Sequence, residues 1–256
     1  MQKLFLIVLL FSFTVAAEKP KSCEDRLVNA PKILSLSVGK PSSIAWNGEK
    51  ATSSIGKTPI EGPLIVHELS IEGDDFENKK LHGTPDTVLY VLGMNAIKPY
   101  IELMERENYE AGSLGENILV DKLDESKVSV GDIFQIGEVV AQATSPRFPC
   151  NRVNFQLQSE SGQPILQMCG RAGIYFRILK TGQIHRDSDF KLIEKAKIRF
   201  PIDKFFDKVV TDRNYPSKLV YARMLKNGAF PKRWLEIWSK RQAQPEISEI
   251  TEEEEQ

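Results

Sequence analysis

Apolar and polar residues alternate early in the chain. In "KILSLSV" Leu34, Leu36 and Val38 fall on one face with serines largely opposite, which predicts a half-buried strand. "LIVHEL" and "TVLYVL" predict two more strands. "GIYFRIL" sets Ile174, Phe176 and Ile178 on one side before a Lys-Thr-Gly turn, and "FKLI" closes the series. "DIFQIGEVVAQAT" holds two β-prone runs around Gly137 and predicts a hairpin. From Met94 to Arg106 the period becomes helical, with Ile97, Ile101, Leu103 and Met104 on a stripe and Pro99 expected near the first turn. The Gly-, Ser- and Pro-rich stretch after Val38 predicts loops with short strands.

After Pro201 the pattern changes again. "PIDKFFDKVVTD", "PSKLVYARMLKN" and "PKRWLEIWSKRQ" predict three short amphipathic helices. Many short strands with one intervening helix predict a mainly β, barrel-like domain over 31–197; a doubly wound sheet would need regular strand–helix alternation. A small helical domain follows over 198–242, then an acidic tail over 243–256. At the other end, "MQKLFLIVLLFSFTVAAEKP" has a short basic start, an apolar run and small residues at Val15 and Ala17. That predicts a cleavable secretory signal over 1–17, a linker over 18–30, no stable membrane anchor, and an exported, periplasmic protein. If that signal is misread, the protein stays in the cytoplasm.

Composition narrows the chemistry. The 256 residues are 41% hydrophobic and 27% charged with a formal net charge of −1, which argues against a nucleic-acid partner bound through a broadly basic surface. Three cysteines, Cys23, Cys150 and Cys169, are too few for a four-thiolate cluster. The three histidines form no HExxH motif, and no GxSxG elbow or phosphate-binding P-loop occurs. What remains is a set of polar clusters at turns. In "TSPRFPCNRVNF" two prolines stiffen a loop around Cys150, and Arg147 and Arg152 flank it; nearby cations lower a thiol's pKa.

Five clusters taken in order resemble the MOSC family, named for the C-terminal domain of molybdenum cofactor sulfurase. They are "LSIEGDDFENKKLHGTPD", "GENI" with the later "VGD", "SPRFPC", "GRAGIYFRIL" and "GAFPKRWLEIWSKR". The likeness runs from about Lys32 through Arg241 and is nearest to stand-alone bacterial members with a helical domain behind the barrel. It implies a MOSC-type β-barrel with an inserted helix, followed by a small three-helix domain. It also implies that Cys150 is the molybdenum ligand and catalytic centre of a molybdopterin-type molybdenum cofactor. Arg147 and Arg171 are then candidates for the cofactor's phosphate, with Lys80 and His82 as further donors and Asn117 at the pterin edge. The implied reaction is reduction of a small N-hydroxylated substrate, with electrons from a separate donor protein or a thiol reductant. A cofactor carrier or sensor without turnover, and a persulfide-type sulfur-transfer protein, stay open beside it. Where the family has Gly-Gly-Pro this chain has Gly83-Thr84-Pro85, so strain is expected if Thr84 takes positive φ.

Overall fold

A computed structural model describes residues 30–79 and 82–243. The expected signal, Cys23, Lys80 and the acidic tail beyond Ala243 lie outside the described residues. The strands are β1 (Ile33–Val38), β2 (Ser42–Trp46), β3 (Glu49–Ser53), β4 (Thr58–Pro59), β5 (Leu64–Val66), β6 (Leu89–Gly93), β7 (Ile118–Val120), β8 (Ile133–Ile136), β9 (Val139–Pro146), β10 (Ile174–Lys180), β11 (Gly182–Ile184) and β12 (Phe190–Glu194). The helices are α1 (Met94–Leu103), α2 (Arg152–Leu157), α3 (Gly162–Cys169), α4 (Ile202–Thr211), α5 (Lys218–Asn227) and α6 (Lys232–Gln242).

Eight strands form one mixed sheet in the order β12-β8-β9-β10-β6-β7-β1-β4, with β6 and β7 parallel across α1 and the other neighbours antiparallel. The expected closed barrel is corrected here: among the described residues no ladder joins β4 to β12. The edge explains it, because β4 has two residues and one of them, Pro59, carries no N–H for a further strand. β5 pairs with β11, and β2 with β3 through an Asn47-Gly48 turn in which both residues have positive φ.

The hairpin β8–β9 forms as its pattern predicts, and Ile174, Phe176 and Ile178 of β10 all point into the core. Strand β1 departs from its alternation. Its register on β7 shifts between Ile33 and Ser35, so Ile33 and Leu36 are buried while Leu34 is exposed. Pro99 lies in the middle of α1 and not in its first turn; it faces solvent, and its missing N–H leaves the Asn95 carbonyl without the usual helix donor. Helices α2 and α3, only six and eight residues long, are absent from the sequence reading.

The helices α4–α6 share one hydrophobic cluster with the sheet. Phe205 lies 5.3 Å from Phe230 and 5.8 Å from the buried Trp238, ring centre to ring centre. Asn227 donates to the carbonyls of Val130 and Ile198, and Arg199 pairs with the fully buried Asp132. Asp86 joins the layers a second time, accepting from Arg177 of β10 and from the Lys232 amide at the start of α6.

Because sheet and helices share that cluster, Trp238→Ala is expected to cost about 3–5 kcal/mol. Denaturant unfolding followed by tryptophan emission and by far-ultraviolet dichroism should show the two elements lost in one transition, at lower midpoint than in the parent.

Candidate functional site

The cysteine loop leaves β9 at Pro146 and enters α2 at Arg152. Its path is fixed at both ends, by the Arg147 amide donating to the Gly173 carbonyl (3.0 Å) and the Val153 amide donating to the Cys150 carbonyl (3.0 Å). Gly173 has φ +85, and a Cβ there would stand 2.5 Å from the Val91 carbonyl oxygen. Only glycine allows this approach, which brings the loop against β6. Phe148 projects the other way and stacks on Phe206 at 5.3 Å, with Trp234 at 5.2 Å. Thus the helical unit holds one side of the loop and the sheet the other.

Beside the loop lies a cavity of about 260 Å³. Cys150, Arg147, Asn117 and His82 line it, together with Lys57, Phe76, Tyr90, Phe148, Arg152 and Tyr175. Arg171 is not in this lining; it is exposed, and its charge acts on Glu125. Thr84 has φ −99, so the Gly-Thr-Pro variation is accommodated without positive φ.

Two cations in the wall have opposite circumstances. Lys57 is buried, and its Nζ donates to Asp74 Oδ2 at 2.6 Å. Burial pulls the Lys57 pKa down while Asp74 opposes the shift. Asp74 also accepts from the Gly39 amide at 2.9 Å and from Asn117 Nδ2 at 2.9 Å. Asn117 in turn accepts from the Tyr90 amide and donates to the Ser37 carbonyl, so its side chain ties three segments together at the cavity wall. Lys57 is held in place by Gly112, φ +87, whose Cβ would collide with the Lys57 carbonyl at 2.2 Å. Arg147 has no such carboxylate. Only 4% exposed, it lies over the Tyr90 ring at 5.7 Å, and its Nη1 has no partner among the described residues. An uncompensated buried cation is costly, and an anion entering the cavity relieves it.

His82 sits between Phe76 and Tyr175, each 6.4 Å away. Burial, then the charges of Arg147, Arg233 and Lys57, push its pKa down to about 4, so at neutral pH the ring is uncharged. Cys150 and Cys169 are free thiols, and burial raises the pKa of the second. Among the described residues no three His, Cys, Asp or Glu side chains converge as a metal site. A metal bound at Cys150 would find no second or third such ligand clustered with it among the described residues. A soft thiolate and an orphaned guanidinium on one cavity fit a soft metal carried by an anionic organic ligand.

Lys57, Tyr90 and Tyr175 escaped the sequence reading. Lys57 lies in "SIGKTPIEGP", which reads as an ordinary loop, and the tyrosines sit on strands whose register alone turns them to the cavity.

A family model described as "MOSC domain" matches residues 78–190. Protein YiiM of Escherichia coli is 31% identical over 172 residues, covering 64% of this chain and 70% of that one. A protein named Reductase from Gibberella moniliformis is 28% identical over 190 residues, covering 70% of this chain and 33% of the fungal one. The crystal structure of YiiM from Geobacillus stearothermophilus superposes with a TM-score of 0.67 at 26% identity, over 83% of this chain and all of that one.

Two pH dependences follow from this geometry. Burial is the first cause of the neutral His82 ring and the neighbouring cations the second; an anion beside Arg147 offsets the second and so favours a proton on the ring. Sulfate, which does not titrate in this range, should bind more tightly as pH falls toward 4, where the free ring takes its proton; calorimetry on His82→Asn should show that dependence lost. Glu125 is buried, accepts from the Gly173 amide at 3.0 Å, and has Oε2 unpartnered. Burial raises its pKa from the ordinary carboxylate value near 4.5 to about 7. The folded state then holds a proton that the unfolded chain releases, so stability falls as pH rises from 4.5 to 7. Urea unfolding at pH 5 and pH 8 should show Glu125→Gln abolishing a decline on the order of 3 kcal/mol.

Proposed function

The chain belongs to the MOSC domain family, and on that premise we propose that it binds a molybdopterin-type molybdenum cofactor at Cys150 and reduces small N-hydroxylated compounds. MOSC domains are associated in general with molybdenum-cofactor binding. The observation that carries the reading to this cavity is the unpartnered Arg147 Nη1 beside the free Cys150 thiol. When bound, the cofactor would supply the two-electron removal of oxygen that converts a hydroxylamine, two electrons and two protons into an amine and water.

The residues of the chain have separable parts. Cys150 gives the thiolate ligand on a loop preset by Pro146 and Pro149, so little ordering entropy is lost on binding. Arg147 meets the phosphate, its planar fork suited to two oxygens at once. Arg152 extends the cationic lining at the cavity wall. Lys57, held against Asp74, presents a fixed nitrogen already matched by a carboxylate. Asn117 acts through Asp74 and the Tyr90 amide, as a positioning residue. Neutral His82, flanked by Phe76 and Tyr175, offers a hydrogen bond without repelling a cation and borders a space suited to a flat ring.

Electrons come, on this proposal, from a separate donor protein or thiol reductant, and the N-terminal segment directs export. Arg171 stays a candidate for the cofactor only through a movement of its exposed side chain, since it does not line the cavity.

The test uses full-length protein from a cell that makes the cofactor. Oxidative denaturation should release pterin fluorescence in proportion to molybdenum. Cys150→Ala should lose at least tenfold of the metal, and Arg147→Gln should lose pterin and metal together. Reduction of an aryl hydroxylamine with a viologen donor then distinguishes an enzyme from a carrier. Cyanide-releasable sulfur without molybdenum would assign the thiol to sulfur transfer and sink the proposal.

A further inference from the structure

The helical unit carries a charge pattern unlike the rest of the chain. Residues 198–243 hold eleven Lys or Arg against four Asp or Glu, in a protein whose formal net charge is −1. The segment that follows, "QPEISEITEEEEQ", holds six Glu, no cation, and two apolar residues, Ile247 and Ile250. Opposite charges of this size on adjoining stretches of one chain attract at high effective concentration.

The described surface offers a place for that segment. A shallow groove of about 340 Å³ between α5 and α6 is lined by Tyr221 and Leu235, with Lys232, Glu236, Ser239 and Lys240 along one helix face. It therefore follows α6 from its first turn to its last, ending next to Ala243. The nearest carboxylate to the Lys232 ammonium is Glu236, at 4.0 Å with both side chains mostly exposed, a weak pair open to competition. Large apolar side chains are also open on these helices: Leu219 is 74% exposed and Leu225 51%. Pro245 has no N–H with which to prolong α6, which favours a change of direction there. Eleven helical residues span roughly 16 Å. An extended chain covers that in about five residues, so the segment is long enough to retrace the whole helix.

We propose that the acidic segment 244–256 folds back along the α5–α6 groove of its own chain, with Ile247 over Tyr221 and Leu235 and the Glu252–Glu255 run over Lys232 and Arg233. Its apolar positions cover the groove floor and its carboxylates meet cations that the rest of the fold leaves weakly matched. The docking itself holds whatever ligand the cavity takes.

Lysine acetylation rates, read by mass spectrometry, test it directly. Full-length protein is compared with a chain ending at Ala243 and with a full-length variant carrying Glu252→Gln, Glu253→Gln, Glu254→Gln and Glu255→Gln. Lys232 and Lys240 should react at least threefold more slowly in the full-length parent, with Lys180 and Lys191 unchanged as internal references. The difference should vanish in 1 M NaCl, where the screening length is about 3 Å, and in the fourfold variant. Equal rates in the parent and the shortened chain overturn the proposal. So does a difference that grows with protein concentration, which would place the segment on a second copy.

Discussion

The arrangement depends on one buried charge that no carboxylate meets among the described residues. Arg147 stands almost wholly out of water, over the Tyr90 ring, with Nη1 unpartnered among the described residues. A desolvated guanidinium without a counter-ion costs several kcal/mol, and the fold tolerates that cost because so much else is fixed around it. Lys57 shows what a settled cation looks like in the same wall: it has Asp74, and Asp74 has Gly39 and Asn117. The contrast between the two gives the cavity its electrostatic sense. One cation is part of the scaffold, and the other keeps a nitrogen without a partner among the described residues.

Holding a charge in that state requires rigidity on both sides of the cysteine loop. On the sheet side, Gly173 lets β10 approach β6 closely and accepts the Arg147 amide. On the helical side, Phe148 is clamped by Phe206 and Trp234, residues that belong to the same cluster of rings as Trp238 and Phe205. The three C-terminal helices are therefore a buttress for the loop as much as an appendage to the sheet. The same helices carry the surplus of positive charge, and Arg233 of α6 adds to the cations that act on His82.

Family membership and cavity chemistry converge without being the same argument. The likeness to YiiM gives the chain its family and its fold. The assignment of individual side chains comes from burial and hydrogen bonding in this chain. That distinction matters for Asn117 and Arg171. Both fall in matched motifs, yet Asn117 spends its amide on Asp74, Ser37 and Tyr90, and Arg171 points away from the cavity lining.

The sequence by itself determined the strands β6, β8, β9 and β10 and the three C-terminal helices, and it marked the cysteine loop as a stiffened segment between arginines. Those follow from local periodicity and from proline and arginine placed beside a lone thiol, information carried within a few residues. It could not say that the sheet stays open, because alternating residues look alike in a barrel and in an open sheet; only Pro59 at a two-residue edge decided that. Nor could it show the bulge that turns Leu34 outward, since register is a property of two strands together. Above all, it could not distinguish Lys57 from any loop lysine or Arg147 from its paired neighbours. Whether a charge is matched depends on which distant carboxylate the folded chain brings to it, and that is settled only in three dimensions.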